Sequence, residues 1–131
     1  MPQRGRRADL TLDTGALIAL ERRDRFILSL LAHADENGLR VTVPNVVLAE
    51  WWRGGRGSTT KLLKGFAVEA LTDHVAMLAG EALGKVKGPS VVDAIVVASA
   101  AQRGDVVVTS DYDDLDRLCS VFREVRLVGL G

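Results

Sequence analysis

The feature that most constrains the fold is an alternation. Short runs rich in β-branched residues are each followed by a segment of helical length with its own start and stop signals. The runs at residues 8–13, 39–43, 66–71, 105–109 and 125–130 read as strands. Strands that alternate with helices require crossovers, and crossovers make parallel sheets covered on both sides. The expectation is an α/β fold of three layers: a mostly parallel central sheet of about five strands with helices on both faces.

The helical segments are well punctuated. After a short helix at 16–21, Asp24 caps a segment running through Asn37, with Phe26, Ile27, Leu30 and Leu31 on its apolar face, and Gly38 stops it. Pro44 stands where the next helix starts; that helix carries Val46, Val47, Leu48, Glu50, Trp51 and Trp52 and ends at Gly54-Gly55. Another short helix is expected at 58–64. Thr72 opens a helix reaching Val86, and Gly88-Pro89 breaks it. Ser90 then caps a strongly apolar helix that runs to Arg103 and stops at Gly104, and a polar loop with a short helix occupies 110–122. No repeat, low-complexity stretch or interior linker interrupts the 131 residues, so a single domain is expected, with residues 1–7 as a flexible tail.

Composition excludes several classes. One cysteine, Cys119, permits neither an internal disulfide nor a cysteine zinc cluster, and its amphipathic surroundings suit a small core filler. The longest apolar run, 94–101, contains Ser99 and falls far short of the ~20 residues of a membrane helix. With no apolar signal region near the start, a cytoplasmic protein without membrane contact is expected. Seventeen basic residues balance seventeen acidic ones, so no overall field draws the chain to nucleic acid. The distribution is uneven, with basic clusters at 22–25, 53–64 and 85–87.

Four acids stand at comparable places in the pattern. Asp13 ends the first strand, Glu50 lies in the second turn of the helix after the second, Asp93 opens the apolar helix, and Asp111 follows the 105–109 strand. In a parallel α/β sheet, strand ends and helix starts share one edge, where ligands bind. Each acid also has a plain explanation. Asp13 and Asp111 could cap the helices after them, Asp93 stands three residues after Ser90 in a capping-box arrangement, and Glu50 could be a rim residue. Together these explanations weaken, because Asp93 is set among Val91, Val92, Ala94, Ile95, Val96 and Val97, and Glu50 among apolar neighbours of its own. Both are expected to be partly desolvated. Two carboxylates about 5 Å apart at an effective dielectric near 20 repel by ~3 kcal/mol.

A bound cation relieves that repulsion, and all-oxygen ligation favours Mg²⁺ or Mn²⁺. Such an ion can polarise a phosphodiester and generate hydroxide from water, with no nucleophilic side chain required. None is evident: the chain has no Gly-x-Ser-x-Gly, no phosphate-binding Gly-Lys-Ser/Thr loop and no paired histidines, since His33 and His74 lie on separate helices.

With these residues in place, the chain resembles PIN domains of the VapC type. The resemblance is carried by Leu12-Asp13-Thr14-Gly15-Ala16-Leu17, by Val43-Pro44 through Leu48-Ala49-Glu50, by Val91-Val92-Asp93-Ala94-Ile95, and by Val108-Thr109-Ser110-Asp111 through Asp114-Leu115. It implies a Mg²⁺- or Mn²⁺-dependent endoribonuclease acting as the toxin of a type II toxin–antitoxin system, with a VapB-type antitoxin, an RNA substrate and a homodimeric state. Carried over, Asp13, Glu50, Asp93 and Asp111 form the catalytic and metal-binding quartet, Asp13 and Asp93 foremost. Thr14 and Thr109 support them, and Asp114 matches a frequent extra acid that could also cap the last helix. Asn45 departs from the Ser or Thr often found there.

Trp51 and Trp52 point about 100° apart on a helix, so one can fill the core while the other faces out. Trp52, Arg53 and Arg56 are candidate contacts to RNA or antitoxin. The competing readings are a PIN-fold protein-binding module with catalysis lost, marked by an eroded acidic set, and an aspartate-based phosphotransferase. The first lacks its mark here, and the second lacks an acid two residues after Asp13.

Overall fold

A computed structural model of the protein describes residues 8–54 and 61–130. The strands are β1 (Leu10–Leu12), β2 (Val41–Pro44), β3 (Ala67–Glu69), β4 (Val106–Thr109) and β5 (Arg126–Gly129). They pair in parallel throughout, in the order β3-β2-β1-β4-β5. The helices are α1 (Thr14–Glu21), α2 (Arg25–Glu36), α3 (Asn45–Trp51), α4 (Asp73–Lys85), α5 (Val91–Arg103) and α6 (Tyr112–Leu118). Every residue of β1 and β2 is buried, so both faces of the sheet are covered and the three-layer α/β expectation holds.

Strand order decides where a ligand can bind. The chain lays β2 and β3 on one side of β1, then crosses back to place β4 and β5 on the other. The direction reverses between β1 and β4, and the crevice beyond their carboxyl ends is the switch point where open α/β sheets bind ligands.

Boundaries shift from the sequence expectation for local reasons. β1 stops at Leu12 and α1 begins at Thr14 because the Asp13 carboxylate accepts the Ala16 backbone N–H at 2.8 Å and caps the helix. β2 runs through Pro44, which pairs in register with Glu69 and also serves as the N-cap of α3, so strand passes into helix without a loop. The helix expected at 58–64 falls partly outside the described residues, as do the 1–7 tail and Arg56.

The core is organised on α5, where Ala94, Ile95, Val96, Val97, Ala98, Ser99 and Ala100 are all buried. Three alanines in this stretch let neighbouring elements approach closely. Gly104 ends the helix in the left-handed conformation, at φ 72°. Cys119 is half-buried against the core, as a small filler should be, and burial pushes its thiol pKa up. No helix among the described residues is long and apolar enough to cross a membrane.

Candidate functional site

Beyond the carboxyl ends of β1 and β4 lies a pocket of about 470 Å³. Its walls are built from the starts of α1, α5 and α6, from α3, and from the turn before α5. Asp13, Glu50, Asp93, Asp111 and Asp114 all line it, and no Lys or Arg does among the described residues. The topology thus brings the four sequence-predicted acids together and adds the fifth.

Each acid is held differently. Asp13 is buried, at 5% exposure, and receives hydrogen bonds from the Ala16 N–H and the Thr109 hydroxyl. Burial raises its pKa from the ordinary 3.8 to about 6, and the nearby charges of Asp93 and Asp111 push the same way, against those two hydrogen bonds. Asp93, half-buried, completes a full capping box: it accepts the Ser90 N–H at 3.1 Å while its own N–H bonds the Ser90 hydroxyl at 3.1 Å. The plain capping explanations for Asp13 and Asp93 therefore hold alongside their place in the pocket, since a capping carboxylate still has lone pairs to offer.

Asp111 and Glu50 depart from expectation. Asp111 occupies the N-cap position of α6, but its side chain makes no capping bond. Its backbone N–H donates to the Thr109 hydroxyl at 2.8 Å, and its carboxylate, free of capping duty, joins the pocket lining. Burial, followed by the charges of Asp93 and Asp114, raises its pKa. Glu50 is exposed rather than desolvated, because α3 lies at the pocket rim and turns its apolar side, with Val47 and Trp51, into the core. The Thr14 hydroxyl donates to Glu50 at 2.5 Å and ties it to the start of α1.

The tightest grouping is Asp93, Asp111 and Asp114, each offering a carboxylate oxygen within 4.8 Å of the others. Asp111 and Asp114 are three apart at the start of α6, spacing that puts both on one helix face. That i,i+3 spacing is the local signal that makes Asp114 a full member of the grouping rather than only a helix cap. The donor set suits a hard divalent cation: hard oxygens only, several negative charges, and at least one carboxylate with no capping duty.

Sequence reasoning missed the pocket's small and apolar lining: Gly15, Ile18, Gly88, Val92, Val96 and Ser110. Trp52 and Arg53 do not line the pocket; Trp52 is 37% exposed, and the Arg53 guanidinium bonds the Trp52 carbonyl at 2.9 Å. Trp51 is the buried partner, its indole N–H donating to Glu21 at 3.0 Å.

The family model of the PIN domain matches residues 10–121. The sequence matches none of the curated proteins. Among solved structures, the fold is similar to a chain of the VapBC2 complex from Rickettsia felis bound to a DNA fragment from its promoter, with a TM-score of 0.74 and 13% identity over 93% of this chain and 98% of that one. A chain of the DNA-bound VapBC from Salmonella typhimurium gives 0.67 at 18% identity, covering 94% and 98%. A chain of FitAcB from Neisseria gonorrhoeae gives 0.65 at 16%, covering 92% and 96%.

Proposed function

This chain belongs to the PIN-domain family, and on that premise we propose that it is a Mg²⁺- or Mn²⁺-dependent endoribonuclease serving as the toxin of a type II toxin–antitoxin pair. One observation carries the reading: five carboxylates line a single pocket at the sheet's switch point, with no basic side chain among the described lining residues to balance them. A site so charged cannot admit a phosphodiester unless cations enter first.

Asp93, Asp111 and Asp114 would hold the ion, with Asp13 and Glu50 completing its surroundings. Bound there, a divalent ion supplies Lewis acidity toward the phosphodiester and lowers the pKa of water. The protein's own groups do the positioning. Ser90 and Ala16 fix Asp93 and Asp13 through their backbone N–H groups, Thr109 joins Asp13 to the Asp111 backbone, and Thr14 holds Glu50 at the rim. Val92, Val96 and Ile18 give the same pocket an apolar wall that can carry a sugar or base edge.

A VapB-type antitoxin partner is supported by the toxin–antitoxin complexes in which the similar folds occur. A homodimer follows from the family resemblance alone, and light scattering tests it. Purified protein should cleave RNA with Mn²⁺ or Mg²⁺ and stop with EDTA. Asp93→Asn should abolish both cleavage and growth arrest, yet stay folded, because Asn retains the oxygen that accepts the Ser90 N–H. An Asp93→Asn protein that remains fully toxic would refute the metal mechanism.

A further inference from the structure

Arg117 brings a guanidinium to the edge of this acidic pocket. Its Nη1 lies 3.5 Å from the Asp114 carboxylate and donates to the Lys87 carbonyl at 3.3 Å. An i,i+3 pair of this kind is ordinarily a solvated contact on a helix face, and two features set this one apart. Arg117 also bonds the backbone of the α4–α5 turn, a different element. Its guanidinium further lies against Gly88, a pocket-lining residue at φ 112°, where a Cβ would stand 2.2 Å from Nη1. The turn is shaped to let the charge approach.

The pair itself is weak: the contact is long and the Arg117 side chain is 55% exposed. Asp114 belongs to the three-carboxylate grouping, so its charge is wanted elsewhere once that grouping is balanced. A phosphodiester entering the pocket meets carboxylates on its walls and needs a positively charged donor at the mouth. Guanidinium, planar and permanently charged, matches phosphate oxygens better than any other side chain.

Resting on the nuclease reading, we propose that Arg117 is a substrate-contacting residue, whose guanidinium exchanges the Asp114 carboxylate for a non-bridging phosphate oxygen of the RNA strand. Asp114 and Gly88 then act on either side of it, one as its resting partner and the other as the surface it slides over.

The test compares Arg117→Ala and Arg117→Lys with the wild type in three measurements: RNA cleavage, salt dependence of RNA binding, and Mn²⁺ binding without RNA. Arg117→Ala should lower kcat/KM by about 10- to 100-fold, the loss of one charge-assisted hydrogen bond. The slope of log affinity against log salt should fall by about 0.7, one phosphate contact on a single strand. Mn²⁺ affinity should not weaken. Arg117→Lys should restore the salt slope but only part of kcat/KM, because a point charge replaces a fork.

Retention of kcat/KM within about twofold by Arg117→Ala, with an unchanged salt slope, overturns the proposal. So does a clear loss of Mn²⁺ affinity in that variant, which would make Arg117 a positioning residue for Asp114. Failure of the wild type to cleave any RNA overturns the nuclease reading and this proposal together, and is distinguished by the wild-type reaction itself.

Discussion

Thr109 and Asp13 meet across the seam between β4 and β1, where the wholly buried threonine hydroxyl donates to the aspartate carboxylate. That bond and the Ala16 N–H offset only part of the cost of burial, so the Asp13 pKa stands at about 6 against an ordinary 3.8. Between those values the folded chain keeps a proton that the unfolded chain has released. The associated stability is fully present below about pH 4 and is lost as pH rises through about 6.

Metal-free protein should therefore carry a penalty at pH 8 of as much as about 3 kcal/mol from this residue. Asp13→Asn removes the charge but keeps the cap, since Asn caps helices as well as Asp does. In EDTA, urea unfolding should find this variant about as stable as wild type near pH 4 and ~2–3 kcal/mol more stable at pH 8. Mn²⁺ should then stabilise the wild type more than the variant. Equal stability of the two at pH 8 without metal would contradict the assignment.

Gly15 presses against Ser110 closely enough to forbid any side chain. A Cβ on Gly15 would lie 1.7 Å from the Ser110 Oγ and 2.6 Å from its Cβ. A rotamer change can move the first atom but not the second, so Gly15→Ala must displace the loop between Thr109 and Asp111. The variant should lose stability by ~1–3 kcal/mol, in the range of overpacking. Its cleavage rate should fall as Asp111 shifts. Ser110→Gly in the same chain removes both clashing atoms, and the double variant should recover most of the stability. A double-mutant cycle by thermal unfolding reads the coupling directly, and additive effects would show that the two residues do not collide.

The two adjacent tryptophans should respond unequally to truncation. Trp51 is 7% exposed with its indole N–H satisfied by Glu21, whereas Trp52 is 37% exposed. Trp51→Ala should cost ~3–5 kcal/mol, the usual range for an aromatic removed from a core, and Trp52→Ala less than about 1 kcal/mol. Chemical denaturation of the two variants decides it.

The sequence expected such a split from the roughly 100° between helical neighbours, but the helix ends at Trp51, and Trp52 turns outward because its backbone is already extended. The fold was legible because each strand and helix from Leu10 to Gly129 carries its own pattern, and the alternation leaves a parallel sheet as the economical solution. The quartet of acids was legible only as strand-end positions, because convergence depends on β1 and β4 lying side by side, a long-range pairing that no local signal encodes. Local surroundings misled at Glu50, whose neighbours Val47 and Trp51 face the core while Glu50 itself is exposed. They misled again at Asp111, where an acid ahead of a helix looked like a cap but the carboxylate makes no capping bond and groups with Asp93 and Asp114, the first of them distant in sequence. The close approaches at Gly15 and Gly88 had no local signal, since their partners Ser110 and Arg117 are distant in sequence.

Away from the pocket, Arg103 at the end of α5 organises a polar network that the sequence did not announce. Its guanidinium bonds Asp105 at 2.8 Å, Thr11 at 2.9 Å, Ser99 at 3.0 Å and the Glu69 carboxylate. Asp105 is 1% exposed and also accepts the Thr11 hydroxyl at 2.8 Å. Burial alone would raise the Glu69 pKa, but its bonds to Ser99 and Arg103 hold it below the usual range, so its contribution is present above about pH 4.5 and fades as pH falls. Removing the cation leaves Asp105 buried and uncompensated, which typically costs ~3–5 kcal/mol. Arg103→Met should show that loss in urea unfolding, while Arg103→Met with Asp105→Leu should recover at least about half of it, because no buried charge is stranded. Arg103 lies ten residues along α5 from Asp93, about 15 Å at the helical rise. Cleavage per folded molecule should therefore match wild type in both variants, and a drop in specific activity without unfolding would show that the network reaches the site.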